Sequence, residues 1–136
     1  MPNWNYIAGF FDGEGGLSPT SDHGTPRFQL YLCNSHKEVL ESIRAELGEG
    51  TWGLADRSTA TWNLCFNSKE AQLKLLTGVL PYVRRRKRAI VLALELLKLR
   101  PGTGNHWSDT DELLAWRIFK MLEEELDAER QAKTLE

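Results

Sequence analysis

The chain has 136 residues, of which 41% are hydrophobic and 26% are charged. This composition is typical of one soluble folded domain and excludes a wholly disordered protein. No apolar run approaches the roughly 20 residues that a membrane helix needs, and no basic segment precedes an apolar one as in a secretory signal. Cys33 and Cys65 lack CxxC spacing, so neither a zinc site nor a disulfide framework is expected. We therefore expect an intracellular protein, cytoplasmic or organellar, that has no membrane partner.

The charges are distributed unevenly along the chain. Residues 1–107 contain 13 Lys or Arg and 10 Asp or Glu, a net charge of +3. Residues 108–136 contain 4 Lys or Arg and 9 Asp or Glu, a net charge of −5. Five basic residues follow one another at 84–88. Such a local cluster favours binding to nucleic-acid phosphates, although the whole chain has a net charge of −2.

Hydrophobic periodicity and capping residues predict five helices and four strands. Strict alternation is clearest over 27–33, where Phe28, Leu30 and Leu32 share one face of a strand. The five tryptophans are expected in the core or in an interface, where aromatic residues dominate. The predicted elements are, in chain order, a helix capped by Asn3, a strand from 17–20, a loop over 21–26, a strand over 27–33, a helix from Asn34 or Ser35 to Leu47, strands over 51–55 and 59–66, a helix capped by Ser68, a helix over 89–99 and a last helix capped by Ser108 or Asp109.

The element order is α-β-β-α-β-β-α, followed by two further helices. Because the strands come in adjacent pairs, this order predicts an α+β protein with an antiparallel sheet and argues against a parallel doubly wound sheet. A twisted sheet with one polar face can enter the major groove of DNA. We expect a single domain over 1–136, with its core at about 4–99 and a helical extension at about 107–133.

Segment 7–15 reads IAGFFDGEG and ends its helix in an unusual way. Glu14 stands at the helix C-terminus, where the macrodipole is negative and backbone carbonyls point outward. A carboxylate beside such carbonyls makes an oxygen-rich site suited to Mg²⁺, and a solvated acid after a glycine cap is the alternative. Gly9 and Gly13 leave a groove on one helix face, which suits packing within the chain or pairing with a second copy about a twofold axis.

This segment resembles the LAGLIDADG motif of homing endonucleases. Four of the nine positions match outright, and the other five carry replacements that are common in the family. With the element order, the resemblance covers residues 4 to about 99. A single copy of the motif implies the homodimeric branch, in which the motif helices pair. The matching positions are Ala8, Gly9, Asp12 and Gly15, and the implied dimer interface contains Ala8, Gly9, Asp12 and Gly13.

The resemblance implies roles for individual residues. Glu14 matches the acid that binds the divalent metal near the scissile phosphate, and Gly13 matches the position whose carbonyl adds a ligand. Asp12 matches the first acid, whose role is mainly structural. Asn34 lies in the segment where an amide side chain positions water or metal, although it fits a helix cap equally well. Lys37 follows where a basic side chain often sits beside the phosphates.

The basic run resembles the family segment in which a lysine usually stands four residues before an alanine. Arg85 occupies that place ahead of Ala89, and Lys87 is the nearest lysine. Either can be the basic catalytic group, although arginine and lysine differ in geometry and in ease of proton loss. The alternative for such a run is a general phosphate-binding patch, which is compatible with DNA binding.

The resemblance implies an intron-encoded, Mg²⁺-dependent endonuclease that cuts a long pseudo-palindromic double-stranded DNA site as a homodimer and leaves short 3′ overhangs. Mn²⁺ or Ca²⁺ can replace Mg²⁺ in binding. The alternatives are an intron RNA maturase, a non-cleaving DNA-binding regulator of the same fold, and a helix-mediated dimeric module. The residues predicted to contact DNA are Ser18, Thr20, Arg27, Gln29, Tyr31, Arg57, Thr61, Asn63, Arg84 and Arg86.

Overall fold

A computed structural model describes residues 2–22, 24–53, 60–102 and 105–135, and within them it has five helices and four strands in the predicted order. The strands form one antiparallel sheet with the order β1-β2-β4-β3. The predicted α+β class is therefore confirmed. The elements are α1 (Trp4–Glu14), β1 (Gly15–Asp22), β2 (Thr25–Asn34), α2 (Lys37–Leu47), β3 (Thr51–Trp52), β4 (Trp62–Cys65), α3 (Lys69–Val79), α4 (Lys87–Leu99) and α5 (Asp109–Leu135).

Three helices begin at capping side chains that the sequence predicts. In each, a side-chain oxygen accepts a hydrogen bond from a backbone N–H three residues later, which satisfies one of the donors left open in the first turn. The three bonds are Tyr6 N–H to Asn3 Oδ1 at 3.2 Å, Ala71 N–H to Ser68 Oγ at 3.1 Å, and Asp111 N–H to Ser108 Oγ at 3.2 Å.

The start of α2 differs from its prediction. The residue before the helix is His36, which makes no side-chain capping bond, so the prediction that Asn34 or Ser35 caps α2 is wrong. Asn34 Oδ1 instead accepts the His36 N–H at 2.8 Å and closes a turn just ahead of the helix. The predicted end at Gly48 is confirmed, because this residue adopts the left-handed conformation (φ 69°) that glycine tolerates best.

The strands also differ in length from their predictions. β1 and β2 extend into 21–22 and 25–26, which the sequence assigns to a loop, because hairpin pairing uses the backbone groups close to the connection. β3 and β4 are shorter than the predicted 51–55 and 59–66, although residues 54–59 lie outside the described part. α4 begins at Lys87, two residues before its predicted start.

The sheet has two distinct faces. β2 buries Leu30 and Leu32 in alternation, as predicted, and Leu32 pairs across the strands with Leu64, which is also buried. We call this side the core face. Tyr31 pairs with Cys65 on the other side, which we call the open face. A one-residue slip would exchange the two faces, so burial of the leucines sets the register.

The chain folds into two compact units, and each has its own apolar core. Unit 1 contains residues 1–17 and 29–84, and unit 2 contains residues 18–28 and 85–136. In unit 1, α1 packs on α3, and β4 contacts β3 and α2. In unit 2, α4 packs along α5. The buried apolar residues of α4 include Ala89, Ile90, Ala93, Leu96 and Leu97, and those of α5 are Ala115, Ile118, Leu122 and Leu126.

Two helices expose large hydrophobic residues. On α3, Leu73 is exposed, while Gln72 is buried and its Nε2 donates to the Phe66 carbonyl at 2.9 Å. A buried amide is tolerated when it is hydrogen-bonded in this way. On α5, the exposed residues are Leu113, Leu114 and Met121. None of the helices in the described ranges is both long and apolar enough to cross a membrane.

Candidate metal and nucleic-acid site

α1 runs directly into β1, so Glu14 ends the helix and Gly15 begins the strand. The Gly15 N–H donates to the Phe11 carbonyl, so the carbonyls of residues 13 and 14 lie beyond the last hydrogen bond of the helix. The Glu14 carboxylate is exposed, and it has no hydrogen bond or ion pair with any other described residue. This junction therefore presents an available carboxylate beside outward-pointing backbone oxygens.

The donor atoms at this junction fit a hard divalent cation. Carboxylate and carbonyl oxygens are the ligands that Mg²⁺ and Ca²⁺ prefer, and Mg²⁺ often takes only one or two carboxylates together with substrate phosphates. The described ranges contain no group of three or more His, Cys, Asp or Glu side chains that could hold a metal. Glu14 and the Gly13 carbonyl therefore suit a cation whose remaining ligands are water or phosphate, and they do not suit a metal enclosed by protein.

The side chain of Asp12, the first acid of the motif, is hydrogen-bonded within the protein. Its Oδ2 accepts the backbone N–H of Arg84 at 2.9 Å, and its side chain is half-buried. This bond ties the end of α1 to the segment that follows α3, across 72 residues of sequence. One Asp12 carboxylate oxygen thus has a structural partner, whereas Glu14 two residues later stays available.

One face of α1 is open. Gly9 and Gly13 are exposed, and a Cβ added to either would meet no atom within 4 Å outside the helix backbone. Tyr6 is 49% exposed, and its ring lies 6.2 Å from that of Phe10, centroid to centroid. Ala8 is completely buried on the opposite side of the helix. The prediction that Ala8 contributes to a dimer interface is therefore wrong, because no surface of Ala8 is left for a second copy.

Glu14 and Asn34 lie at the same end of the sheet, because β1 begins where its antiparallel neighbour β2 ends. Asn34 pairs with Trp62, on the core-face side of the alternation. Its carboxamide oxygen is engaged by the His36 N–H. The structure thus brings Asn34 to the same edge as Glu14 and gives its oxygen a local role, and a catalytic role stays a prediction.

Lys37 has aromatic partners that the sequence did not reveal. Its Nζ lies 4.6 Å from the ring centroid of Trp62 and 5.0 Å from that of Trp52. Both distances are within the range of cation–π attraction, and both indoles are half-buried. The ammonium group therefore joins the first turn of α2 to β3 and β4, and its place beside the phosphates stays a prediction. The sequence could not reveal this contact, because 25 positions separate Lys37 from Trp62 and only the folded sheet brings them together.

The residues predicted to contact DNA are divided between the two units. Those of unit 1 include Gln29, which is exposed, and three half-buried residues of β2 and the β4 region, Tyr31, Thr61 and Asn63. In unit 2, Ser18 is exposed, and Thr20 and Arg27 are half-buried. Arg57 lies outside the described residues.

The basic run at 84–88 leads into α4. Arg84 closes unit 1, and the next four residues belong to unit 2. Both predicted basic catalytic groups, Arg85 and Lys87, are exposed. Arg86 is half-buried and adopts a positive φ of 62°, an uncommon conformation for a residue that is not glycine. Arg85 and Lys87 are thus accessible to phosphates within their own unit.

Acidic residues of α5 interact with this basic run inside unit 2. Arg88 Nε lies 3.5 Å from Glu125 Oε2. Burial raises the pKa of Glu129, the Arg86 and Arg85 guanidinium groups oppose this rise, and the Glu125 carboxylate adds to it. The negative C-terminal segment therefore partly neutralises the run from within the chain.

Together these observations define an α+β protein in which an acid-bearing helix leads directly into an antiparallel sheet. This is the fold of the LAGLIDADG homing endonucleases, and the resemblance of segment 7–15 is confirmed at the level of the fold. Three of the solved structures that share it are the following. The archaeal intron-encoded homing endonuclease I-Vdi141I complexed with DNA has a TM-score of 0.76 and 20% identity, over 90% of this chain and 82% of that one. I-CvuI in complex with its target has a TM-score of 0.71 and 21% identity, over 88% and 78%, and the homing endonuclease I-TnaI has a TM-score of 0.67 and 13% identity, over 93% and 97%.

One curated protein is similar in sequence. The chain is 25% identical over 154 residues to the reverse gyrase of Thermococcus kodakarensis. The match spans 96% of this chain and 9% of the length of that protein. The sequence matches no established family profile.

Proposed function

We propose that this protein is a site-specific, metal-dependent DNA endonuclease that acts as a homodimer on a long pseudo-palindromic site and leaves short 3′ overhangs. The observation that carries the proposal is Glu14, an available carboxylate at the junction of α1 and β1. Two structures of similar fold support the use of DNA and a divalent cation. I-CvuI was crystallised with its own target in the presence of Ca²⁺, and with the I-CreI target, which was not cleaved, in the presence of Mg²⁺.

The residues at the junction have separate tasks in this function. A divalent cation would activate the attacking water and neutralise charge on the phosphate. Glu14 would hold that cation through its carboxylate, and the Gly13 carbonyl would add a second oxygen. The exposed basic run attracts the DNA backbone from solution, because its charges are concentrated over 84–88. Within the run, Arg85 and Lys87 are the candidates for stabilising the charge that develops on phosphate.

Two copies of the chain are needed to cut both strands. The exposed side of α1 at Gly9 and Gly13 lets a second helix backbone approach closely about a twofold axis. That pairing brings two Glu14 carboxylates and two negative helix ends together, so cations would favour the dimer. The open face of each sheet would then read half of the site through polar residues such as Gln29 and Asn63.

The decisive experiment is cleavage of a randomised pseudo-palindromic duplex library in Mg²⁺, with an EDTA control and sequencing of the products. We expect discrete double-strand cuts with short 3′ overhangs that disappear in EDTA. Specific retention of duplexes without cutting would contradict the nuclease and favour a non-cleaving regulator. Selective binding of intron RNA in place of DNA would favour a maturase.

A further inference from the structure

Tyr31 lies across the open face of the sheet over a glycine of the neighbouring strand. A Cβ added to Gly16 would overlap Cζ, Cε1 and the hydroxyl oxygen of Tyr31. The phenol ring and its hydroxyl therefore rest directly on β1, at a position that tolerates no side chain. Glycine within a strand commonly marks such a close approach.

This contact places the phenol at the first residues of β1, beside the junction with α1. A Cβ at Gly15 would overlap Phe11, which is completely buried, whereas a Cβ at Gly16 meets Tyr31 on the open face. Gly15 is extended, with φ −91° and ψ 155°. Gly16 is the second residue of β1 and follows Glu14 by two positions. The Tyr31 hydroxyl therefore lies at the start of β1, close to the junction that carries Glu14.

Both polar groups are available to a ligand. Within the described residues, neither the Tyr31 hydroxyl nor the Glu14 carboxylate has a hydrogen bond or an ion pair. The Tyr31 side chain is half-buried, so its ring is held while its hydroxyl has no described partner. A tyrosine hydroxyl in such a place usually finds one. A phosphate oxygen next to a cation-binding carboxylate would satisfy it.

We propose that Tyr31 donates its phenolic O–H in a hydrogen bond to a non-bridging oxygen of the DNA phosphate at the cleavage position, next to Glu14. This role rests on the proposed function and replaces the base contact predicted for Tyr31 from sequence. A charged acceptor strengthens a hydrogen bond relative to a neutral one. Because Gly16 lets the ring lie against β1, the hydroxyl is held there before DNA binds.

The first test is Tyr31→Phe, which removes the hydroxyl and keeps the ring on Gly16. We expect cleavage of the selected target at saturating DNA to fall about 10- to 100-fold, the size of a lost hydrogen bond to a charged group. The base preference at every position of the site should stay unchanged. The matched control is Tyr82→Phe, because Tyr82 is 49% exposed in the turn after α3, and it should cleave like the wild type.

The second test measures binding alone, in Ca²⁺, and so does not depend on cleavage. Wild type and Tyr31→Phe are compared on target DNA with either the normal phosphate or a neutral methylphosphonate at the cleavage position. We expect Tyr31→Phe to weaken binding of the phosphate duplex several-fold and to change binding of the methylphosphonate duplex little. Such non-additivity reports a direct contact between the two groups.

Gly16→Ala adds a variant that retains the hydroxyl. Its Cβ would push the Tyr31 ring off β1, which a side chain can accommodate without unfolding. We therefore expect a cleavage loss similar to that of Tyr31→Phe, with no further loss when the two changes are combined.

The outcomes separate this inference from the function on which it rests. A wild type that neither cuts nor binds any duplex overturns the proposed function and the Tyr31 role with it. If the wild type cuts while Tyr31→Phe cuts equally fast, only the Tyr31 role is overturned. Additive effects of Tyr31→Phe and the methylphosphonate would also overturn the Tyr31 role. A shifted base preference of Tyr31→Phe at full cleavage rate would overturn it and favour the base contact predicted from sequence.

Discussion

The indole of Trp4, in the first turn of α1, rests on Gly78 near the end of α3. A Cβ added to Gly78 would overlap the six-membered ring of the indole, so the two helices meet at a point where one of them has no side chain. This contact belongs to the packing of α1 on α3 and thereby supports the helix that carries Glu14. Close approach of this kind requires glycine for steric reasons alone.

Gly78→Ala should destabilise unit 1. The added methyl group would displace the Trp4 ring, and overpacking of this kind typically costs about 1–3 kcal/mol. The higher helix propensity of alanine offsets up to about 1 kcal/mol of that cost. Urea unfolding followed by tryptophan fluorescence measures the difference. An unchanged midpoint would show that the indole moves aside without loss of packing.

Gly9→Ala should weaken the homodimer and leave the folded chain intact. No atom lies within 4 Å of the added Cβ, and alanine improves helix propensity by up to about 1 kcal/mol. The same methyl group would hold a second α1 away from the first. Sedimentation equilibrium with and without Mg²⁺ measures the dimer dissociation constant, which should rise for the variant. Equal dimerisation of variant and wild type would place the interface elsewhere.

Glu14→Gln should abolish cleavage in Mg²⁺ while folding and DNA binding persist. The amide has nearly the same shape as the carboxylate and lacks the charge that holds the cation, so we expect a rate loss of roughly 10²-fold or more. Thermal unfolding and a gel-shift assay in Ca²⁺ check fold and binding. The control is Glu41→Gln, an exposed acid of α2. Full activity of Glu14→Gln would remove this residue from the mechanism.

Lys37→Ala should lower the stability of unit 1. The change removes the ammonium group from between the Trp52 and Trp62 rings, and cation–π attraction contributes about 0.5–2 kcal/mol. Lys37→Arg keeps a cation at the rings and should retain most of the stability. Denaturation midpoints of both variants provide the comparison. If both are as stable as the wild type but cleave slowly, Lys37 acts on the phosphates as the sequence resemblance implies.

The stability of unit 2 should depend on pH through Glu129. Burial raises the pKa of Glu129 above its ordinary value of 4.5, so the folded chain binds this proton more tightly than the unfolded chain. The resulting contribution to stability is complete below the ordinary value and is lost as pH rises through the folded pKa. As the pH rises from below 4.5, the free energy of unfolding of Glu129→Gln should therefore fall less than that of the wild type.

Unfolding curves at a series of pH values test this prediction. Glu124→Gln is the matched control, because Glu124 is an exposed acid of the same helix. Identical pH profiles for wild type and Glu129→Gln would show that Arg86 and Arg85 cancel the effect of burial.

Local patterns in the sequence were sufficient for the element order, most helix ends and the motif. Asn3 and Ser68 cap their helices through backbone groups three residues away, and Gly48 ends α2 through its own φ angle. The alternation of β2 likewise predicts which face of the sheet is buried. These features depend on neighbours within a few positions, so the sequence contains all the information that they require.

Only the tertiary structure decided which of these residues meet across long stretches of chain. Trp4 occupies the space over Gly78 and Tyr31 the space over Gly16, whereas Gly9 faces open space, although all three residues are glycines. Lys37 contacts the indoles of Trp52 and Trp62, and Ala8 is buried although it belongs to the motif. The physical reason is that burial and contact depend on partners tens of residues away, whose approach is set by the packing of whole helices and strands and not by local propensity.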